Sequence, residues 1–454
     1  MDTSSQGTGS AGKYDAVIYT SQVISAIVNG EAKLTIRDDA LTVSSLFDSV
    51  EIPFAEITSL TLADYSVTIV SDSGNYTFSR LGNWCQPFYN SLLSAYNDAV
   101  LRSMFISGAP IVTARGRYDD AEGGVVSGVL SDFRVYDNCV VALPPDSGAR
   151  RVPLCFVTAV DRGDYNLILT LDSNENYCYA KLGYDTAPFA DAIERQIRKL
   201  REESLSAVRE FDPLLSVAQA SQIARIMPRG AAAPINKLSA IAPSFTNAVE
   251  KMIANTRVAE FYAALKEICD RESIFFGFRN SFGDTQSADN MEISGDSKGS
   301  GFSEVGGYSE GLGRARGVAD SAALGESEMT GSYGDANGGD SASIAFILIV
   351  PSPDEQYAAV EFSESNTATY VYKTGGDFPG FANKLNRALE AIDFRRDVIR
   401  LSDEELRTRN NSDYIMAVKR TKALQLVRAN FAGRVIHSGI ETWKSKLMGL
   451  WSNG

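Results

Sequence analysis

Nucleophilic catalysis needs a base beside a hydroxyl or thiol, and the histidine that could serve occurs once in this chain, at His437. It stands between Ile436 and Ser438 with no nucleophile motif around it, so its expected role is packing or surface. Cys85, Cys139, Cys155, Cys178 and Cys269 form no CxxC pair and are odd in number. They offer neither zinc-ligand spacing nor a disulfide frame, and read as buried thiols of a reducing compartment. The run Gly311-Leu312-Gly313-Arg314-Ala315-Arg316-Gly317 has its third glycine one residue late for a dinucleotide loop, and no strand precedes it. Asp335 to Asp340 hints at a calcium loop, but Phe346 stands where an EF-hand needs a bidentate acid. No catalytic residue, metal site or cofactor follows, and the expectation is a protein that is not an enzyme. The competing class is an enzyme with a carboxylate site between the second and third of the chain's units.

Two sets of residues suit binding instead. Arg80, Lys181 and Lys373 recur just before a glycine-bearing break and are candidate ligand contacts; the alternative is a solvated cation capping a strand end. Beyond Asp413 the chain carries seven Lys or Arg against two acids, Asp413 and Glu441. There Val427, Phe431, Val435, Ile440, Trp443, Leu447 and Leu450 recur at three-to-five spacing, interleaved with Arg428, Arg434, Lys444 and Lys446 and closed by Trp451. A basic, tryptophan-bearing amphipathic stretch suits a partner groove or a membrane interface, with Arg428, Phe431, Arg434, Trp443, Lys444, Lys446 and Trp451 as the contacts. Docking on the chain's own third unit is the alternative.

The net charge of −14 disfavours a sequence-independent grip on nucleic acid. Much of it sits in residues 281–340, where eleven acids face three bases among fourteen glycines. That composition buries too little apolar area to offset ordering entropy, so a disordered insertion is expected. The start is polar and Ser/Gly-rich, and the longest apolar run, from Ile344 to Val350, is too short to span a bilayer. A cytoplasmic protein is expected, with peripheral membrane attachment as the alternative.

The elements that must position these residues are written twice. Ile52-Pro53, Asp64-Tyr65, Asp72-Ser73, then Asn75 to Gly82 and Pro87-Phe88 return as Val152-Pro153, Asp164-Tyr165, Asp172-Ser173, Asn176 to Gly183 and Pro188-Phe189. A repeat near a hundred residues is a duplicated small domain. Alternating apolar runs (Leu34, Ile36, Leu41, Val43 against Phe133, Val135, Val140, Ala142) predict antiparallel strands around Asp38-Asp39 and Asp137-Asn138 turns. Phe88, Leu92, Leu93 and Tyr96, and Phe189, Ile193, Ile197 and Leu200, then lie at helical spacing behind a first-turn proline. A looser third copy runs from Gln356-Tyr357 through Lys373-Thr374-Gly375 to Phe381 and Leu385. Asp212-Pro213 predicts a helix start with Leu214, Val217, Ala220 and Ala224 on its stripe, and 228–234 reads as a linker.

Strands followed by one closing helix, in about a hundred residues, resemble the pleckstrin-homology-like superfold. The expected class is α+β, with tandem antiparallel units each closed by a C-terminal helix, helical linkers and a helical tail. The organisation is a disordered tail (1–13), unit 1 (14–100), unit 2 (106–202), a helical linker (203–250), a partial unit 3 (251–400) holding the insertion 281–340, and the basic amphipathic tail (401–454). The resemblance implies binding of peptides, partner domains or lipid headgroups. Lys33 and Arg37 are flanked by Glu31, Asp38 and Asp39, which departs from the basic cluster of the phosphoinositide binders. The expected function is a scaffold or adaptor with a protein partner, self-association included; an anionic membrane surface or phospholipid is the alternative.

Overall fold

The repeat folds as two seven-stranded antiparallel sheets, in each of which a four-stranded and a three-stranded run join through the pairing of first and last strands, and each is followed at once by a helix. The computed structural model describes residues 17–120, 130–280, 344–363, 368–395, 397–408 and 412–452. The first sheet contains β1 (Ile18–Ile24), β2 (Asn29–Ile36), β3 (Ala40–Ser44), β4 (Ser49–Pro53), β5 (Ile57–Ala63), β6 (Ser66–Ser71) and β7 (Gly74–Ser79), in the order β4-β3-β2-β1-β7-β6-β5. α1 (Cys85–Ser103) closes it. The second contains β8 (Val112–Asp120), β9 (Leu130–Val135), β10 (Cys139–Leu143), β11 (Arg150–Pro153), β12 (Val157–Arg162), β13 (Asn166–Leu171) and β14 (Asn176–Ala180), in the matching order β11-β10-β9-β8-β14-β13-β12. α2 (Thr186–Phe211) closes that one.

Register repeats with order. Leu60 lies opposite Ile69, and Val160 opposite Leu169. Alternation sends Val67 and Ile69, and likewise Leu167 and Leu169, to the buried face, as a half-buried sheet requires. The helices cover those faces. Phe88 and Phe189 are fully buried in their respective cores. Phe88 meets Phe78 edge-on at 5.8 Å, and Phe189 lies 5.4 Å from Tyr179.

The copies differ on the outer face of one strand. In β3, Thr42 and Ser44 are polar and half-buried; in β10 the corresponding Val141 and Leu143 are buried, because that face packs into the core of the first unit.

The third sheet is a single meander, β15 (Ala233–Pro234), β16 (Phe275–Asn280), β17 (Ile344–Pro351), β18 (Tyr357–Phe362), β19 (Ala368–Lys373) and β20 (Phe431–Ile436), paired in that order. α3 (Val217–Ile226), α4 (Ile235–Ile241), α5 (Pro243–Ala254) and α6 (Ala259–Ile268) lead into it. α7 (Phe378–Ala391), α8 (Asp397–Arg400), α9 (Asp403–Thr408), α10 (Ser412–Arg420), α11 (Lys422–Ala429) and α12 (Ile440–Ser452) follow.

Three expectations change. α3 starts at a Ser216 cap, with Gln219 completing a capping box, so Leu214 lies outside the helix and is exposed; Asp212 is buried and accepts from Leu214 N–H and Ser244 Oγ instead. Segment 228–234 does not run free: Gly230 adopts φ +76° against the Phe278 backbone, and Ala233–Pro234 joins the sheet. The tail stripe is interrupted, because Phe431–Ile436 pairs with β19 as a strand around Gly433. The expected N-terminal tail and the insertion 281–340 lie outside the described residues. No helix among the described residues is long and apolar enough to cross a membrane.

Candidate functional site

Duplication places the same groove in the chain twice, between the edge strand that follows the fourth hairpin strand and the closing helix. In the first copy that groove is full. β5 is an edge, yet Leu60 N–H donates to the Pro145 carbonyl at 2.8 Å and Ser147 N–H donates to the Thr58 carbonyl at 2.9 Å. Asp146 sits between them as a bridge partner of Ser59. The loop joining β10 to β11 thus lies along β5 as a short added strand. Tyr96 of α1 donates its hydroxyl to the Asp146 carbonyl at 2.9 Å, and burial pushes that phenol up to about 12 despite Arg420 nearby. α10 supplies the remaining filler. Arg420, itself buried, donates to the Ile57 carbonyl at 2.6 Å and lies 5.3 Å over the Tyr96 ring, and Lys419 pairs with Asp72 at 2.6 Å.

In the second copy the groove is open. Along β12 there is no added strand among the described residues. A cleft of about 960 Å³ lies at its start, with Leu154 and Phe156 of the preceding turn, Val157, Ile197, Leu200 and Phe275 as an apolar floor and exposed Arg201, Arg225, Lys237 and Glu272 on its rim. Ile197 is the counterpart of Tyr96, so the place held by the Asp146 loop in one copy is the cleft in the other. The anchor points survive with new partners: Arg201 donates to the Val157 carbonyl at 3.3 Å, as Arg420 does to Ile57, and Arg387 pairs with Asp172 at 2.8 Å, as Lys419 does with Asp72.

The walls of the cleft are fixed. Asn386 of α7 exchanges two 2.9 Å hydrogen bonds with the Ala232 backbone, and buried Glu390 holds Arg229 at 2.7 Å. Ser204 of α2 accepts from Arg229 N–H at 3.0 Å. Burial first, and the Glu390 carboxylate second, push the Cys155 thiol well above its ordinary range. What the cleft offers is therefore an apolar floor within a charged rim at the start of a strand edge, a surface suited to a protein segment that pairs with the edge through its backbone.

Arg80 and Lys181 occupy matching corners. Both adopt left-handed φ (58° and 57°), both are exposed, and each precedes a left-handed glycine, Gly82 and Gly183. They belong to separate sheets. Lys373 is different: it ends β19, where its N–H donates to the Asn430 carbonyl at 2.7 Å.

The tail candidates divide by burial. Arg428 is spent inside the fold, donating to the Val398 and Leu401 carbonyls at 2.5 and 2.6 Å and pairing with Asp403 at 2.7 Å. Trp443 and Trp451 are buried in the third unit's core, and Phe431 lies 5.6 Å from Tyr372. Lys444 pairs with Glu267 at 2.7 Å. Arg434 and Lys446 alone of the seven are exposed.

His437 belongs to a cluster that sequence reading missed. Trp443 Nε1–H donates to Thr369 Oγ1 at 2.7 Å, Thr369 donates to the fully buried Glu361, and His437 Nε2 lies 3.1 Å from Glu361 Oε2. Phe261 stacks on the imidazole at 3.9 Å. These contacts stitch α12 and the end of β20 to β18 and β19. Among the described residues no group of three or more His, Cys, Asp or Glu is placed to hold a metal ion. No protein-family model matches the chain, and no curated protein matches it either.

Proposed function

We propose that this chain is a non-enzymatic adaptor built on tandem pleckstrin-homology-like units, and that it holds an extended segment of a protein partner along β12. One observation carries the reading. The same strand edge in the first copy is already occupied by an extended segment, paired through Leu60 N–H and the Thr58 carbonyl, whereas its counterpart opens at its start on a cleft with an apolar floor and a charged rim. Strand addition supplies affinity through the main chain and specificity through the pockets beside it. The counterparts of the pairing groups are the Val160 N–H and the Thr158 carbonyl. Edge strands left bare invite pairing, and natural proteins cover or charge them; Thr158 and Ala159 are exposed, small and uncharged, and the charged Asp161 and Arg162 stand only at the far end of β12.

The test is peptide selection from a displayed random library on the immobilised full chain, repeated on Val160→Pro and Ala159→Lys. Proline is tolerated on an edge and removes the outward N–H, and lysine guards an edge without entering the core. Peptides with apolar residues at alternate positions should be enriched on the parent and lost on both variants. Failure to enrich any, or equal binding to the variants, contradicts the reading.

A further inference from the structure

Leu46 and Phe47 form the tip of the β3–β4 hairpin and are 86% and 89% exposed. The corresponding hairpin of the second copy, β10–β11, carries the loop that fills the groove of the first. Among the described residues there is therefore one filled junction, made by copy two's loop on copy one's groove, and two ends without partners of the same kind: copy one's loop and copy two's groove. We propose that these two ends meet between molecules, so that the tip Leu46-Phe47 of one chain docks in the β12 cleft of a second, head to tail. This rests on the reading of that cleft as a site for a protein segment, and names as its occupant a closed hairpin turn in place of an extended strand.

Three features favour a second copy over an unrelated peptide. The position is preset, since the loop on β5 and the tip at 45–48 connect equivalent strands and would meet equivalent edges. The chemistry fits on the tip's side, because two large apolar side chains leave water on entering a floor whose own residues, Leu154, Phe156, Ile197 and Leu200, are already buried. The tip is also preorganised: Ser45 N–H donates to the Asp48 carbonyl at 2.7 Å, Asp48 N–H donates to Ser45 Oγ at 2.9 Å, and the closed hairpin leaves Leu46 and Phe47 pointing outward with little entropy left to lose.

The contact between chains is smaller than the one within a chain. Val141 and Leu143, which bury the outer face of β10, are replaced in β3 by Thr42 and Ser44. Association is therefore reversible and concentration-dependent. It is also heterologous, joining two different patches, so it propagates into short chains or closes into rings instead of stopping at a symmetric dimer.

Sedimentation velocity of the full chain over a concentration series reads this directly. The average mass should rise with concentration for the parent. Phe47→Asp, which spoils the tip, and Val160→Pro, which spoils the groove, should each give a monomer that still unfolds cooperatively, the proline variant at most a few degrees below the parent. An equimolar mixture of the two should give a one-to-one dimer and no more, since one retains a groove and the other a tip. Ala159→Lys serves as a second groove variant should proline disturb the fold. A parent that stays monomeric at its highest soluble concentration, or a Phe47→Asp chain that still associates, overturns the proposal. If the chain is monomeric while selected peptides still need Val160, the cleft reading stands and the second copy is excluded; if both fail, both fall.

Discussion

The grooves beside β5 and β12 share strand order, register and anchor points, yet among the described residues one is filled and the other is not. The backbone of the repeat is therefore not what decides occupancy. Occupancy follows from what the rest of the chain delivers: to β5 come the β10–β11 loop and Arg420, while β12 receives Arg201 of its own helix and a wall of residues that stops short of the strand. The repeat gives two equivalent edges, and among the described residues one of them is covered from within.

The comparison is first sharpened in the cores. Phe88→Ala and Phe189→Ala should each cost about 3–5 kcal/mol in denaturant unfolding, since both rings are fully buried at the same place. Costs that differ severalfold would show that the copies do not share a core. The edges should then part company. Leu60→Pro removes a buried side chain and the N–H that binds Pro145, and should cost about 2–4 kcal/mol; Val160→Pro should cost about 1 kcal/mol or less. Equal costs would mean that both edges are paired, or neither. The arginines should follow the same order on a smaller scale. Arg420→Ala exposes the Ile57 carbonyl and uncovers Tyr96, for about 1–3 kcal/mol, whereas Arg201→Ala at an exposed position should lie within about 0.5 kcal/mol of the parent.

The two sheets and their helices were legible in the sequence because their signals are local. Alternation of Val67 and Ile69, the turn at Asp64-Tyr65 and the proline before Phe88 act within a few residues. The grooves were not legible, because their contents come from far away: Arg420 reaches Ile57 across 363 positions. One trace of the asymmetry was present all the same, in Thr42 and Ser44 against Val141 and Leu143, where a strand turned apolar on both faces announces a second packing surface. The tail read as a basic amphipathic helix because spacing does not reveal Gly433, at φ +151°, continuing a strand beside β19. His437 read as isolated because Glu361 and Thr369 reach it only through sheet pairing.

The most direct test of the account is residue-resolved amide hydrogen exchange on the dilute full chain, comparing Leu60 with Val160 and using Ile69 and Leu169, at matching interior positions, as references. Ile69 and Leu169 should be similarly protected. Leu60, whose N–H is held by Pro145, should exchange slowly, and Val160 should exchange much faster. Equal protection at Leu60 and Val160 would contradict the claim that one edge is filled and the other open.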